Sequence, residues 1–351
     1  MRHGEVIVLI SVALLLLGVV MIQSAGFQMP PEDTTTLRTL LLSKPMLLAG
    51  IAMLALVAGA TLPVESLYRR RGMRSPMPSL TLAMLALLAV VLIPGVGDEA
   101  KGATRWILLG PVQFQPSEAA KWGLLFVLAW YGARRAGAMH TLRPGVLPPL
   151  FLLGLICAMI ALEDLGTAVL IGVVGVSVLL AAGTPVKYIA ALIPIGAAGF
   201  VAALFASPYR MNRILAFLDP YDQPQSIGYH MIQSMSAVSG GGLAGRGLGN
   251  GVLKFGYLPE DTTDFIFAII CEELGLVGAV LVVALYTALI WHGCQIVRRA
   301  ATPFTRLLSL GIVMTVGLQT VINLLVVTGL APTKGIALPL MSSGGTGWIL
   351  T

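Results

Sequence analysis

Long uninterrupted runs of apolar residues, separated by short polar stretches, recur along the whole chain. Residues 6–21 and 46–62 contain no charged residue over nearly the thickness of a bilayer. A helix that spans a membrane needs about 20 mostly apolar residues, and only helices or closed barrels satisfy their backbone hydrogen bonds in lipid. Because the runs are continuous rather than alternating, they predict helices.

The apolar runs predict nine spanning helices and the beginning of a tenth, which together form a single transmembrane domain over residues 1–351. The predicted fold class is therefore all-α, a polytopic membrane protein of about ten helices. The predicted helices lie near residues 5–24, 45–62, 78–94, 117–133, 146–162, 165–183, 187–206, 264–290 and 306–328, and a tenth, incomplete at Thr351, begins near Ser342. One long connection, residues 207–263, separates the seventh and eighth helices.

Composition supports a lipid environment for much of the chain. Of its 351 residues, 57% are hydrophobic and only 11% are charged, whereas an average globular chain is about 25% charged. Arg2 precedes the first run as in a signal peptide, but the run is long and many spans follow it, so we expect a retained helix. Cys157, Cys271 and Cys294 show neither the spacing of a disulfide framework nor that of a metal site.

Basic and acidic residues segregate onto alternate loops, which predicts the orientation of the chain. The basic loops, predicted to be cytoplasmic, contain Arg2, Arg69, Arg70, Arg71, Arg74, Arg134, Arg135, Arg143, Lys187, Arg298, Arg299 and Arg306. The acidic loops, predicted to face outward, contain Asp98, Glu99, Glu163, Asp164, Asp219, Asp222, Glu260, Asp261 and Asp264. The formal net charge of +6 is therefore a topology signal and not a nucleic-acid footprint. This places the N-terminus in the cytoplasm and residues 207–263 outside.

Charged residues at membrane depth are costly, so each is a functional hypothesis by default, against the alternative of a pair that only fixes helix packing. At the start of the fourth predicted helix, Glu118 and Lys121 lie three residues apart and share a helix face. A pair at the membrane interface is the plain alternative, and Arg105 and Trp106, just upstream, could anchor the same interface. Asp164 opens the sixth predicted helix, where capping alone would explain it.

The predicted outer loop combines arginines with a glycine-rich stretch. Arg210, Arg213 and Arg246 could bind phosphate, because a guanidinium fork matches its oxygens. They could equally be solvated charges or bind lipid headgroups. Residues 240–251 faintly resemble a dinucleotide-binding loop, but no strand precedes them and no βαβ unit surrounds them, so this interpretation is rejected.

Further polar residues lie in and after the eighth predicted helix. Asp264 lies where this helix enters the membrane, and a capping role is the alternative to a functional one. Glu272 and Glu273 lie about two turns deeper, so both need partners from other helices. Lys334 and the proline and glycine residues of 331–345 predict a broken, partly re-entrant segment, which is tolerated only where it is buried in protein or lines a wet cavity.

Taken together and in this order, these clusters resemble the SEDS family of shape, elongation, division and sporulation proteins, which includes FtsW, RodA and SpoVE. The resemblance runs through most of the chain and is strongest at residues 114–121, 164–168, 258–273 and 332–345. The run Pro332-Thr-Lys334-Gly is more similar to the division and sporulation branch than to the elongation branch. The chain departs from the family's usual residues at Gly256, Thr262 and Ser343, and none of these departures changes Asp264.

The resemblance implies a ten-helix peptidoglycan glycosyltransferase of the bacterial cytoplasmic membrane, which polymerises lipid II into β-1,4 glycan strands at the outer face. Its implied partners are a class B penicillin-binding protein, which cross-links the strands, and other membrane proteins of the divisome or elongasome. Two alternatives stay open at this point: a flippase that transports lipid II, and a non-catalytic scaffold for the penicillin-binding protein.

By resemblance, Asp264 matches the family's essential aspartate, and we assign it the role of general base. The candidate substrate-binding residues, taken from the resemblance and from their charge, are Arg105, Trp106, Glu118, Lys121, Asp164, Arg210, Arg213, Lys334 and Ser342. A divalent cation, magnesium or manganese, could share in stabilising the leaving pyrophosphate, but no ligand set for it can be identified from the sequence.

Overall fold

The computed structural model describes residues 2–26, 43–69, 75–91, 93, 98–100, 103–109, 112–343 and 346–351. Most of these residues are helical. The elements in chain order are α1 (His3–Ala25), α2 (Lys44–Thr61), α3 (Val64–Arg69), α4 (Met77–Val91), β1 (Asp98–Ala100), β2 (Ala103–Leu109), β3 (Val112–Phe114), α5 (Pro116–Arg134), α6 (Leu147–Glu163), α7 (Leu165–Ala181), α8 (Val186–Ala190), α9 (Ile193–Phe205), α10 (Pro208–Leu218), α11 (Tyr229–Gly240), α12 (Ile266–Arg299), α13 (Pro303–Val327) and α14 (Thr346–Leu350). A short 3₁₀ turn (Ala136–Ala138) and a π-helical turn (Leu142–Val146) join α5 to α6.

The apolar runs form helices where the sequence predicts them, except that residues 187–206 form two helices, α8 and α9, instead of one. Five segments among the described residues are long and apolar enough to cross a membrane: His3–Ala25, Leu142–Glu163, Val186–Phe205, Ile266–Arg299 and Pro303–Val327. Three shorter apolar helices accompany them: Pro45–Thr61, Met77–Val91 and Leu165–Ala181. The prediction of a polytopic helical membrane protein is therefore confirmed, because a soluble fold would not leave so many apolar helices in one chain.

The prediction that the chain is entirely helical missed a small antiparallel sheet, in the order β1-β2-β3, directly before α5. Asp98 lies opposite Trp106 in one strand pair, and Ile107 lies opposite Phe114 in the other. The run Trp106-Ile-Leu-Leu is too short to form a spanning helix, and the β-branched and aromatic residues around it favour extended structure. The sheet places Trp106, half-buried, beside the entry to α5.

The predicted outer loop, residues 207–263, is largely structured. It contains α10 and α11, and α11 packs against α12 and α13. Ser234, in the middle of α11, is fully buried and donates a hydrogen bond to the Val327 carbonyl over 2.7 Å. Met231 and Ala237 are buried on the same helix. Residues 207–263 are therefore packed into the helical bundle through α11 and do not form a separate loop on its surface.

Two buried apolar clusters hold the bundle together. One joins α1, α12 and α13, and the other joins α4, α5, α6 and α7 with the start of α13. Large apolar side chains also cover the outside of the helices, for example Leu54, Phe151 and Phe205, each at least 70% exposed. Such a surface is expected where the surrounding solvent is lipid.

The helix α12 is interrupted at Gly275, whose φ of 64° is a left-handed conformation that favours glycine. The glycine-rich segment 240–251 fills the interruption and hydrogen-bonds to its backbone: the Arg246 amide donates to the Glu272 carbonyl and the Leu276 amide to the Gly242 carbonyl, each over 3.0 Å. A Cβ atom at Gly275 would lie 2.3 Å from the Gly245 nitrogen. Any larger residue would push the segment out of the helix.

Candidate active site

Asp264 lies two residues before α12 and lines a cavity of about 470 Å³. The cavity is enclosed by α10, by the first turn of α11, and by the chain around residues 259–265 and 333–335. Its charged and titratable lining residues are Tyr209, Arg213, His230, Glu260, Asp264 and Lys334. Two basic side chains and two carboxylates therefore surround one space, which can hold an anionic group and accept a proton.

The backbone around Asp264 is held by a buried amide. Asn323, on α13, is 2% exposed, and its Nδ2 donates to the Asp264 carbonyl and to the Ile336 carbonyl, each over 2.8 Å. One side chain thus ties the start of α12 to the segment that carries Lys334. A Cβ atom at Gly335 would lie 3.1 Å from the Asp264 Oδ2. The absence of a side chain there lets that segment approach the carboxylate closely.

The two cations of the cavity come from different elements. Arg213, on α10, donates to the Thr333 carbonyl over 3.2 Å and to the Tyr209 hydroxyl, and its Cζ lies 4.6 Å from the Tyr209 ring centroid. Lys334 follows directly after Thr333 in the opposite wall. Partial burial lowers the pKa of Lys334 below its ordinary value, and nearby Asp164 opposes that shift. Both cations therefore line the same cavity as Asp264.

Asp164 combines the two roles left open by the sequence. It caps α7, because its Oδ1 accepts from the Thr167 amide and its Oδ2 from the Thr167 hydroxyl, each over 3.0 Å. It also interacts electrostatically with Lys334. A Cβ atom at Gly166 would meet the Lys334 Cδ at 3.1 Å. Asp164 is thus both a helix cap and a neighbour of the cation that lines the cavity.

Glu118 and Lys121 form a separate ion pair, in which Lys121 is buried and Glu118 is half-buried. Lys121 is 2% exposed, and its Nζ lies 2.7 Å from the Glu118 Oε2 and 3.2 Å from the Gln319 Oε1. Gln319 in turn donates to the Ala337 carbonyl over 3.1 Å. Through Gln319, the pair is therefore connected to the segment after Lys334. Neither residue lines the cavity, so direct contact of Lys121 with the substrate stays a prediction.

Of the remaining predicted site residues, Arg210 and Ser342 are not among the residues that line the cavity. Arg210 donates to the backbone carbonyls of Ala161, Leu162 and Ala203, which ties the loop to the ends of α6 and α9. Ser342 is buried in a turn, where its hydroxyl accepts from the Leu338 amide over 2.8 Å. The side chain of Arg105 lies outside the described part of the structure. Substrate contacts by these residues stay predictions.

Sequence reasoning did not select His230 or Glu260 as site residues, although both line the cavity. The His230 ring packs against the Phe265 ring at 6.2 Å between centroids and 26° between planes. Glu260 has a φ of 60°, and its Oε2 accepts from the Thr263 hydroxyl over 2.6 Å. The only signal was the polar residue type within an outward loop, which many solvated side chains share.

A second charged cluster lies on α12 itself. The Glu273 carboxylate accepts from the Lys254 Nζ over 2.8 Å, from the Ser24 hydroxyl over 2.6 Å, and from two amides of the glycine-rich segment. The Glu272 carboxylate accepts from the Val252 and Leu253 amides and pairs with Arg246 over 3.1 Å. Both carboxylates and the Lys254 side chain are fully buried. This cluster holds the inserted segment and leaves no room for a substrate.

Among the described residues, no three His, Cys, Asp or Glu side chains form a group that could hold a metal ion. Glu260 and Asp264 are the carboxylates that line the cavity. Two carboxylates do not complete the octahedral oxygen shell that magnesium demands. A divalent cation bound there would take its remaining ligands from water and from phosphate oxygens of the substrate, and such a cation stays a prediction.

Comparison with known proteins decides the family. The family model FTSW_RODA_SPOVE, described as cell cycle protein, matches residues 5–351. The chain belongs to this family. The resemblance inferred from the polar clusters is thereby confirmed, and it extends over nearly the whole chain.

Members of the FtsW, RodA and SpoVE family are also the chain's relatives among curated proteins. A probable peptidoglycan glycosyltransferase FtsW of Geobacter metallireducens is 36% identical over 351 residues, which cover 100% of this chain and 92% of the relative. A probable peptidoglycan glycosyltransferase FtsW of Alkalilimnicola ehrlichii is 39% identical over 339 residues, covering 95% of this chain and 83% of the relative. Both alignments extend over almost the whole of this chain.

Solved structures of family members share the fold. A chain from a peptidoglycan synthase complex, studied for its coordination of polymerisation and crosslinking, is 28% identical, with a TM-score of 0.74 over 98% of this chain and 93% of that one. The crystal structure of the rod shape determining protein RodA from Thermus thermophilus is 27% identical, with a TM-score of 0.64 over 98% of this chain and 91% of that one. The overall helical arrangement of the chain is thus shared with these family members.

Proposed function

We propose that this chain polymerises lipid II into β-1,4 glycan strands at the outer face of the bacterial cytoplasmic membrane during cell division. The chain is a peptidoglycan glycosyltransferase of the FtsW, RodA and SpoVE family, and its curated relatives carry the FtsW name. The single observation that carries the mechanism is the cavity in which the Asp264 carboxylate faces Arg213 and Lys334. Acid and base chemistry beside an anion-binding surface is what this transfer requires.

The donor sugar is α-linked to a pyrophosphate and the product is β-linked, so a single displacement with inversion fits the reaction. Asp264 removes the proton from the acceptor hydroxyl as its oxygen attacks the donor's anomeric carbon. The bond from that carbon to the pyrophosphate oxygen breaks, and the electron pair leaves with the pyrophosphate. Arg213 and Lys334 bind the negative charge that develops there, and the Arg213 fork can hold two phosphate oxygens at once.

The topology proposed with this function has about ten spanning helices, a cytoplasmic N-terminus and an extracytoplasmic segment 207–263. It puts the Asp264 cavity at the outer end of α12 and the basic loops in the cytoplasm, as the charge distribution favours. The prenyl chain of the substrate lies between helices in the lipid phase. A sugar transferase built inside a bilayer can therefore take its donor directly from the membrane.

The proposed partner is a class B penicillin-binding protein, which cross-links the strands after polymerisation, with other divisome membrane proteins around the pair. The similar solved structure comes from a peptidoglycan synthase complex that couples polymerisation and crosslinking. Glu118, Lys121 and Asn323 act indirectly, through hydrogen bonds that position the backbone around Asp264 and Lys334. The flippase and scaffold alternatives lose support, because the relatives are named as glycosyltransferases.

The test reconstitutes the purified chain with its penicillin-binding partner in proteoliposomes that contain lipid II in the outer leaflet, and measures glycan strands on a gel. The wild type should polymerise, and Asp264→Ala should not, while it elutes and unfolds like the wild type. Equal strand synthesis by Asp264→Ala would remove the base assignment. A second preparation with lipid II only in the inner leaflet separates the alternatives, since a flippase would expose it to an outer-leaflet probe without strand formation.

A further inference from the structure

A second cavity, of about 450 Å³, lies between α4, α5 and α6, at the end of the bundle far from Asp264. It is bordered by the first turn of α4 at Met77, the last turns of α5 at Trp130 and Tyr131, and the first turn of α6 at Pro148. Lys121, which supports the Asp264 cavity, lies about 15 Å from Tyr131 along α5 at 1.5 Å per residue. The second cavity is therefore separate from the proposed active site.

The walls of this second cavity are almost entirely apolar, and Leu82 at its edge is 70% exposed. An unfilled recess between helices would forfeit dispersion contacts along its walls. One turn of a helix, about 10 Å across and 5.4 Å long, would by itself fill about 420 Å³. The recess therefore has room for about one turn of a helix, far less than the length of a spanning helix, and matches a single flexible hydrocarbon chain.

Arginine side chains lie beside two aromatic residues that line this recess. The Arg134 Cζ lies 4.9 Å from the Trp130 ring centroid, and the Arg135 Cζ lies 6.0 Å from that of Tyr131. The Tyr131 hydroxyl donates to the Pro144 carbonyl over 2.7 Å, which brings the π-helical turn with Arg143 to the end of α5. Residues 134–147 contain three arginines and no acidic residue.

Two of these arginines are available to a ligand. Arg135 and Arg143 are exposed, whereas Arg134 already donates to the Tyr68 carbonyl over 2.6 Å. Basic side chains near a membrane surface attract anionic lipid headgroups, and the tryptophan and tyrosine below them are the residues that favour the interface. An apolar slot beneath two exposed cations matches a molecule with a hydrocarbon chain and a phosphate.

We propose that this recess, the α4–α6 groove, binds an anionic phospholipid of the cytoplasmic leaflet, of the phosphatidylglycerol type. One acyl chain lies in the groove beside Leu82, and the phosphate lies between Arg135 and Arg143. The site is independent of the proposed glycosyltransferase reaction, because none of its residues lines the Asp264 cavity. It would make the bundle sensitive to the lipid composition of the leaflet opposite to the reaction.

The test is native mass spectrometry of the purified full chain after incubation with an equimolar mixture of phosphatidylglycerol and phosphatidylcholine. Wild type should retain phosphatidylglycerol preferentially, and the double variant Arg135→Gln/Arg143→Gln should lose about fivefold of that preference per arginine. The control Arg298→Gln/Arg299→Gln removes the same charge from exposed positions at the end of α12 and should keep the preference. Equal preference in both double variants would overturn the proposal.

A second measurement identifies the occupant without relying on charge. A photoactivatable diazirine residue replacing Leu82 in membranes should form adducts with phospholipid, and the additional change Thr81→Phe, which fills the groove, should reduce them. Adducts with another polypeptide, or adducts whose yield Thr81→Phe leaves unchanged in a folded protein, would contradict the proposal. Polymerisation of lipid II need not be active in either experiment, so a failure of the groove and a failure of the proposed reaction are distinguishable.

Discussion

Two charged clusters lie less than three helical turns apart along the chain at the start of α12, and they differ in how their charges are used. The Asp264 carboxylate faces an open cavity with Arg213 and Lys334. The Glu273 carboxylate is fully buried against Lys254, Ser24 and two backbone amides. The comparison shows that a charged residue at membrane depth can have a catalytic or a structural role. Access to a cavity distinguishes the catalytic role from the structural one.

Asp264→Asn should give the largest effect on glycan synthesis, and it tests the catalytic role of the carboxylate that lines the cavity. Loss of the general base should lower the rate of glycan synthesis by about 10²- to 10⁴-fold, with an unchanged thermal unfolding profile. The measurement is strand synthesis from lipid II with the partner present. Asp222→Asn, an exposed carboxylate of the same outer segment, is the matched control and should keep wild-type activity. A drop of the same size in both variants would contradict the assignment.

Lys254→Met should strongly lower the stability of the fold, and it tests the structural role of the buried Lys254–Glu273 pair. It leaves the Glu273 carboxylate buried without its cation, and breaking such a pair costs about 3–5 kcal/mol. Thermal unfolding in detergent should shift strongly downward, and any folded fraction should still show the pH dependence of the wild-type reaction. Lys187→Met makes the same chemical change at an exposed position and should leave the midpoint near the wild-type value. An unfolding midpoint equal to that of the wild type in Lys254→Met would show that the Lys254–Glu273 pair does not stabilise the fold.

Arg213→Gln should have an intermediate effect on the reaction. A charge-assisted hydrogen bond to the leaving pyrophosphate contributes about 1.5–3 kcal/mol, so kcat/KM for lipid II should fall about 10- to 100-fold. Arg213→Lys keeps the charge without the fork and should recover part of that loss. If the glutamine and lysine variants are equally active and close to the wild type, the pyrophosphate is bound elsewhere.

The smallest effect concerns Asp261, which lies in the chain between Lys254 of the buried cluster and Asp264. Burial raises its pKa from 3.8 to about 6, so the folded chain favours the protonated form. Its contribution to stability is fully present below about pH 3.8 and is lost as the pH rises through about 6. Asp261→Asn should flatten the pH dependence of the unfolding midpoint between these values. An unchanged slope in that variant would assign the pH dependence to other groups.

The helices could be predicted from the sequence because continuous apolar runs are a strong local signal. The segment 187–206 forms two helices rather than one, α8 and α9, since Pro194 lacks the amide that a continuous helix would use. The strands β1 to β3 were missed because their runs are short, and pairing between strands is a non-local contact. Local sequence predicts elements better than it predicts which elements meet.

The site shows the same division. Asp264, Arg213 and Lys334 could be predicted from charge and position, and the structure brings them into one cavity. The partners of Glu272 and Glu273 were expected on other helices. Ser24 is the helical partner that the structure shows, and residues 249–253 supply the backbone amides. The residue types of a segment do not reveal which of its backbone amides will bind a carboxylate. The sequence therefore predicted only a loop at residues 240–251.

The interruption at Gly275 has a consequence for how the protein is made. The amides and carbonyls exposed by the break are satisfied by residues 242–247, which precede α12 in the chain and therefore leave the ribosome before it. When the second half of α12 emerges, its complement is already present on the nascent chain. The broken helix can thus enter the bilayer without presenting bare peptide groups to hydrocarbon, a condition that a reversed order of segments would not meet.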